Sequence, residues 1–190
     1  MRIDTWFPTP IGIVVNEKND CTLSNHCMDL MSKIDGGGNS WVGRPYTTAG
    51  TKHELLEDSK FSELNSWVEN KVNEFVSTCG WGNVISKEGW FNIYKAGDFQ
   101  EYHVHSNCNF SCVYYLDVQD NDSKIFFSRS PLSSIDNKVV KGNPINNNLS
   151  WYTPSKGLLL IFKSDTMHMV EQKKTDDIRI SLSYNFSEKN

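Results

Sequence analysis

The chain is short of the features that would place it in a membrane, on nucleic acid or in an oxidising compartment. No apolar run approaches the roughly 20 residues that cross a bilayer. The opening MRIDTWFPTPIGIVV holds one early Arg, an Asp and two prolines before a short apolar run of four residues, so it fits neither a signal peptide nor a membrane span. Basic charge is also scarce: 19 Lys and Arg against 23 Asp and Glu leave a net charge of −4. That balance gives no basic footprint for tracking phosphates, and nucleic acid is not indicated. The five cysteines are odd in number and form no CxxC pair, which does not suit a complete intrachain disulfide framework and fits a reducing, cytoplasmic setting. Neither an internal repeat nor an interdomain linker breaks the 190 residues, so a single domain over 1–190 is expected. Nothing in the composition sets an oligomeric state.

What is present divides into a helical first part and a strand-rich remainder. FPTPIGIVV reads as a strand-like lead-in. CTLSNHCMDLMSKI carries Leu23, Cys27, Leu30, Met31 and Ile34 at helical spacing, and the glycines Gly36 to Gly38 then stop that helix and open a long loop. A second helix is expected in KFSELNSWVENKVNEFVSTCG, with Phe61, Leu64, Trp67, Val68, Val72, Phe75 and Val76 on one stripe and Gly80 at its end. From Gly89 the texture changes to short aromatic and β-branched runs: GWFNIYKA, FSCVYYLDV, KIFFSRS, LSWYTP, GLLLIFK, HMVEQ and IRISLSYNF. Helices first and strands afterwards predict a mainly β fold of jelly-roll type, with helical support over about 20–80 and the core over about 87–186.

Two of the five histidines stand one residue apart in EYHVHS. In an extended segment His103 and His105 point to the same side, so one metal ion could touch both imidazoles. His168, opening another strand in SDTMHMVEQ, is the natural third ligand. An isolated His-x-His in a polar turn is more often two solvated histidines than a metal site, so the motif alone decides little. His26 and His53 lack such partners and read as structural or solvent-exposed. In IRISLSYNF, alternation places Arg179, Ser181 and Ser183 on one face. Directed inward, a guanidinium fork beside a hydroxyl suits a carboxylate; directed outward, it is an ordinary solvated face. The loop GGGNSWVGRPYTTAGT, with Trp41, Arg44 and Tyr46, and the connection SRSPLSSIDNKVVKGNPINNN read either as borders of a site mouth or as ordinary loops. Cys108 and Cys112, near the proposed metal, read as small hydrophobes.

The stretches WFNIYKAGDFQEYHVHSNCNFSCVYYLDV and GLLLIFKSDTMHMVEQKKTDDIRISLSYNF, with a looser match in WFPTPI, resemble the Fe(II)- and 2-oxoglutarate-dependent oxygenases, and more closely a bacterial and phage branch of them. The resemblance covers most of residues 87–186. It implies a double-stranded β-helix, the cupin-like jelly roll. It implies that His103 and His168 are ligands of Fe(II), with His105 where the wider superfamily has Asp, the three together forming the catalytic centre. Arg179 and Ser181 match the pair that binds the distal carboxylate of 2-oxoglutarate, and Tyr94 and Asn92 look like further contacts to that co-substrate. Dioxygen and a substrate not identified by the sequence complete the reaction, which would release succinate and carbon dioxide. Three neutral imidazoles leave the metal one more positive charge than the usual two histidines and a carboxylate; Asp98 and Asp165 stand as alternative ligands. Two other readings share the architecture: a cupin-like three-histidine metalloenzyme that needs no 2-oxo acid, and a non-catalytic jelly-roll binding module.

Overall fold

The computed structural model describes residues 1–4, 7–18, 21–129 and 140–189. Strand β1 (Gly12–Val15) precedes helix α1 (Cys21–Met31), and a two-residue strand β2 (Tyr46–Thr47) lies in the glycine-rich loop. A 3-10 turn (Ser59–Phe61) leads into helix α2 (Ser62–Thr78). The strands β3 (Val84–Tyr94), β4 (Gln100–His103), β5 (Phe110–Asp117), β6 (Ile125–Ser128), β7 (Leu149–Tyr152), β8 (Leu158–Lys163), β9 (His168–Val170) and β10 (Arg179–Glu188) follow. They form a six-stranded sheet in the order β1-β8-β5-β10-β3-β2 and a four-stranded sheet in the order β4-β9-β6-β7. All pairings are antiparallel. From β3 onward the chain passes from one sheet to the other at every connection except that between the paired strands β6 and β7. This is the winding of a double-stranded β-helix, as the strand series and the resemblance both imply.

Burial explains the sequence texture. In β8 every residue from Leu158 to Phe162 is buried. Leu159 and Ile161 join the core under the helices, while Leu158, Leu160 and Phe162 join the core between the sheets. A strand covered on both faces reads as a continuous apolar run rather than an alternation, and each such side chain contributes about 1.5–3 kcal/mol. Helix α2 buries Leu64, Val68, Val72 and Val76, one residue per turn, against the six-stranded sheet. It ends where Trp81 N–H donates to the Val76 carbonyl and Gly80 N–H to that of Ser77. Gly80 holds a φ of 83° there, a conformation that costs a β-carbon and not glycine. Strand β3 starts at Val84 rather than Gly89, because β10 runs on to Glu188 and pairs Ser86, Ile85 and Val84 beyond a bulge at Asn185/Phe186.

The glycine-rich loop is tied to the four-stranded sheet at one point. Val42 N–H and Gly43 N–H both donate to the Glu101 carboxylate. A β-carbon on Gly43 would stand 1.8 Å from the Phe99 carbonyl oxygen, so the close approach requires glycine. The connection over residues 128–148 lies partly outside the described residues, as does part of WFPTPI. Among the described residues no helix is long and apolar enough to cross a membrane.

Candidate active site

Sheet pairing assembles three histidines that the sequence keeps far apart. His103, the last residue of β4, is the cross-strand partner of His168, the first of β9. His105 lies just beyond β4, where its backbone N–H donates to the Ser164 carbonyl at 2.9 Å. The ring centroids are 4.1 Å apart for His103 and His168, 5.3 Å for His103 and His105, and 5.2 Å for His105 and His168. One ring nitrogen from each lies within 4.8 Å of the others.

Hydrogen bonding fixes which nitrogen is free. His103 Nδ1 sits 2.7 Å from the Glu101 carbonyl and His168 Nδ1 2.8 Å from the Thr166 carbonyl. A carbonyl only accepts, so both Nδ1 atoms carry hydrogen and both Nε2 lone pairs are left for a cation. Burial against Phe162 and Phe127 holds His168 well below the usual histidine range. Burial also lowers His103, and burial followed by repulsion from His103 takes His105 down to about 4. The trio is therefore neutral near pH 7, as metal binding requires. Neither alternative carboxylate joins it: Asp98 accepts from Lys95 N–H at 2.8 Å, and Asp165 is 77% exposed beside Lys163.

The histidines line a cavity of about 520 Å³, the size of a small-molecule site. Arg179 faces the same cavity from β10 and is 1% exposed, so the outward reading of IRISLSYNF does not hold. Its NH1 donates to the Ser123 carbonyl at 3.0 Å and lies 3.4 Å from Asp122 Oδ1. Its Nε and NH2 are buried without a partner. Two adjacent orphan donors on one guanidinium make a ready fork for a carboxylate. The Tyr94 ring lies under the guanidinium at 4.2 Å and limits its tilt. Register sets Ser181 beside Asn92 and Arg179 beside Tyr94, so all four line the cavity. Asn92 Nδ2 donates to Ser183 Oγ at 3.4 Å while Oδ1 has no partner. Because a hydroxyl serves as donor or acceptor, the amide can turn and present its N–H₂ to an anion.

Other residues of the cavity were not singled out by their sequence context. Tyr115 pairs with Ser181 in register and lines the same end; burial pushes Tyr94 up to about 12 and raises Tyr115 further, so both stay neutral phenols. Alternation in FSCVYYLDV carried that signal, since Val113 and Tyr115 share the cavity face. Behind Arg179 lies a buried ion cluster: Lys173 Nζ donates to Asp122 Oδ2 at 3.0 Å and to Thr175, and approaches Asp177 at 3.3 Å. No local pattern links Asp122 and Lys173 to Arg179, because three separate segments supply them. His26 and His53, read as structural or solvent-exposed, are largely buried and share one partner: their Nε2 atoms lie 2.7 and 3.2 Å from Asp58 Oδ2. Of the loop residues, Trp41 lines the cavity, Tyr46 donates to the Ile34 carbonyl, and Arg44 is exposed away from it. Cys112 is buried, and burial raises its thiol pKa strongly, which keeps it unreactive.

The fold has counterparts in known proteins. A family model described as "Putative 2OG-Fe(II) oxygenase" matches residues 88–185. No curated protein matches the chain. Among solved structures, a Pseudomonas putida prolyl-4-hydroxylase is similar at 14% identity and a TM-score of 0.61, over 95% of this chain and 93% of that one. A Trichoplax adhaerens prolyl hydroxylase in complex with a hypoxia inducible factor peptide has 13% identity and a TM-score of 0.64, over 94% and 83% of the two chains. HygX from Streptomyces hygroscopicus, with nickel, 2-oxoglutarate and hygromycin B bound, has 12% identity and a TM-score of 0.62, over 95% and 83%. At these identities the likeness is one of fold.

Proposed function

This chain belongs to the 2OG-Fe(II) oxygenase family, and on that premise we propose that it hydroxylates a substrate held over His103, His105 and His168, with 2-oxoglutarate converted to succinate and carbon dioxide. It is an oxidoreductase that uses Fe(II) and 2-oxoglutarate. Iron supplies the activation of dioxygen, and the 2-oxo acid supplies two of the electrons needed to reduce it. The protein contributes the rest: three neutral imidazoles that hold the metal, a fork that orients the co-substrate, and one cavity that contains both.

In this reading His103 and His168 present Nε2 to iron, their rings steered by the Glu101 and Thr166 carbonyls. His105 takes the position that the wider superfamily gives to a carboxylate. Arg179 receives the distal carboxylate of 2-oxoglutarate on Nε and NH2, while Asp122 and Ser123 hold NH1. Ser181, Tyr94 and Asn92 stand beside that carboxylate on the paired strands. The observation that carries the reading is the pairing of a converged, uncharged histidine trio with two orphan guanidinium donors in one cavity. A three-histidine metalloenzyme that needs no 2-oxo acid leaves those donors without purpose. A binding module with surface histidines conflicts with the burial of His168, 4% exposed.

The test is anaerobic titration of metal-free protein with Fe(II) and then 2-oxoglutarate, followed by visible absorption. A weak metal-to-ligand charge-transfer band is expected, and Arg179→Ala should abolish it at the same 2-oxoglutarate concentration. Iron binding with no band would favour the reading without a 2-oxo acid; no iron binding would refute the metal centre.

A further inference from the structure

The β3–β10 ladder lays the cavity out along one line. Cross-strand partners run from Arg179 and Tyr94 through Ser181 and Asn92, then Ser183 and Trp90, to Asn185 and Glu88. Six residues of strand separate the two ends, about 20 Å. Arg179 occupies one end. At the other stands Glu88, an exposed carboxylate that accepts from Asn185 Nδ2 on one oxygen only. Between them Trp90 lies beside His105, ring centroids 5.7 Å apart.

Charge along this line is one-sided. Arg179 is the single Lys or Arg among the described lining residues, and Asp122 already meets its charge from behind. Three carboxylates line the cavity: Glu54, Glu88 and Glu101. Glu101 is taken up by the Val42 and Gly43 N–H groups and by Gln100 Nε2. Glu54 makes no side-chain hydrogen bond among the described residues. It stands at the Glu88 end, because its neighbour Leu55 packs on Gly89, where an added β-carbon would come within 3.0 Å of Leu55 Cδ2.

A second observation concerns acceptors that have nothing to accept. His53 lines the cavity with its side chain 9% exposed, and its Nδ1 has no partner. Asp58 Oδ2 lies 3.2 Å from Nε2, and in the tautomer that donates from Nε2 the Nδ1 atom is left as an acceptor. Gln100 Oε1 is also buried without a partner in the same cavity. Its orientation is settled by Glu101, a carboxylate that can only receive the Nε2 hydrogens. A buried acceptor without a donor is costly and marks a place where a ligand donor belongs. Bound Fe(II) among neutral imidazoles is balanced by the two charges of 2-oxoglutarate, so the co-substrate leaves no cation to neutralise Glu54 and Glu88.

We propose that the substrate carries a cationic, hydrogen-bond-donating group, an amine or a guanidinium, seated between the Glu88 carboxylate and the Trp90 ring, with Glu54 and His53 on the loop side. This rests on the assignment of the histidine trio as the iron centre. The carboxylate supplies the charge partner and the indole a cation–π face. The group to be oxidised then lies toward His105, on the side of Trp90 away from Glu88.

The test uses protein loaded with Ni(II) and 2-oxoglutarate, titrated calorimetrically with agmatine, cadaverine, 1,5-pentanediol and glutarate. The two cations are expected to bind and the neutral and anionic probes to bind at least tenfold more weakly. Glu88→Gln should weaken the cations about tenfold, and Trp90→Leu should weaken them by a smaller factor. The 2-oxoglutarate affinity, set at the opposite end, should move less than twofold in Glu88→Gln. Equal binding of all four probes, cation affinity unchanged in both Glu88→Gln and Glu54→Gln, or no cation binding at millimolar concentration would each overturn the proposal. The Fe(II)·2-oxoglutarate absorption band, recorded on the same preparations, separates the two readings. Its absence with cation binding intact would remove the oxygenase assignment and keep the cationic subsite; its presence without cation binding would remove the subsite alone.

Discussion

Replacing Arg179 by Ala should cost 2-oxoglutarate binding an amount that can be worked out from its contacts. The guanidinium has two buried donors without partners, Nε and NH2. Each hydrogen bond from them to a carboxylate carries about 1.5–3 kcal/mol, and loss of one partner of a buried charge pair costs about 2–5 kcal/mol. At tenfold per 1.4 kcal/mol this is a rise in Kd of about 30- to 4,000-fold. Folding should survive, because Asp122 keeps Lys173 at 3.0 Å as its charge partner. The assay is a comparison of two ligands in anaerobic Fe(II) protein: 2-oxoglutarate, and 2-oxobutyrate, which keeps the chelating end and lacks the distal carboxylate. Wild type should favour 2-oxoglutarate strongly, and Arg179→Ala should erase that preference while changing 2-oxobutyrate affinity less than about threefold. An equal loss for both ligands would show that Arg179 acts on the shape of the cavity and not on the carboxylate, and the reasoning would fail.

The other expectations are more local. His168→Ala should abolish tight Fe(II) binding, read as metal per chain after dialysis, with the far-ultraviolet dichroism unchanged; full metal retention would exclude His168 from the centre. Asp122→Asn leaves Arg179 a buried cation beside a neutral amide and leaves Lys173 only the more exposed Asp177 at 3.3 Å, and chemical denaturation should show a loss of about 3–5 kcal/mol; a loss under 1 kcal/mol would mean that the cluster contributes little. Gly43→Ala drives a β-carbon into the Phe99 carbonyl and must displace the loop from Glu101, so the melting temperature should fall and amide exchange at Val42 should rise; unchanged exchange would show that the loop adapts. Burial raises the Asp58 carboxyl, but hydrogen bonds from His26, the Lys60 N–H and His53 outweigh it and hold the group below its ordinary value. A depressed folded value contributes stability above the unfolded value of about 4 and loses it as pH falls through the folded one. The stability gap between wild type and Asp58→Asn should therefore shrink below about pH 4, and a gap that widens in acid would contradict the assignment.

Legibility in the sequence followed the range of each interaction. The strands were readable because burial on one or two faces writes alternation or a continuous run, as in IRISLSYNF and GLLLIF. Helix α2 was readable from its stripe and its terminal glycine. Strand β2, two residues long, left no pattern, and the early start of β3 at Val84 depended on partner residues about a hundred positions later. Asp122 and Lys173 were invisible as site residues because each sits in a polar turn that resembles any other. The link that makes His26 and His53 structural was hidden for the same reason: Asp58, which joins them, is 32 positions from one and five from the other.

By itself the sequence determined the β-rich architecture, the histidines with the chemistry to hold a metal, and the strand face on which Arg179 stands, since these rest on residue type and on periods of two or 3.6. Only the tertiary structure decided that Arg179 turns inward, that Nε2 of His103 and His168 is the free nitrogen, and that the cavity runs from an arginine to a glutamate. Those outcomes depend on strand register and on contacts between segments far apart in the chain, and a short window of sequence holds neither.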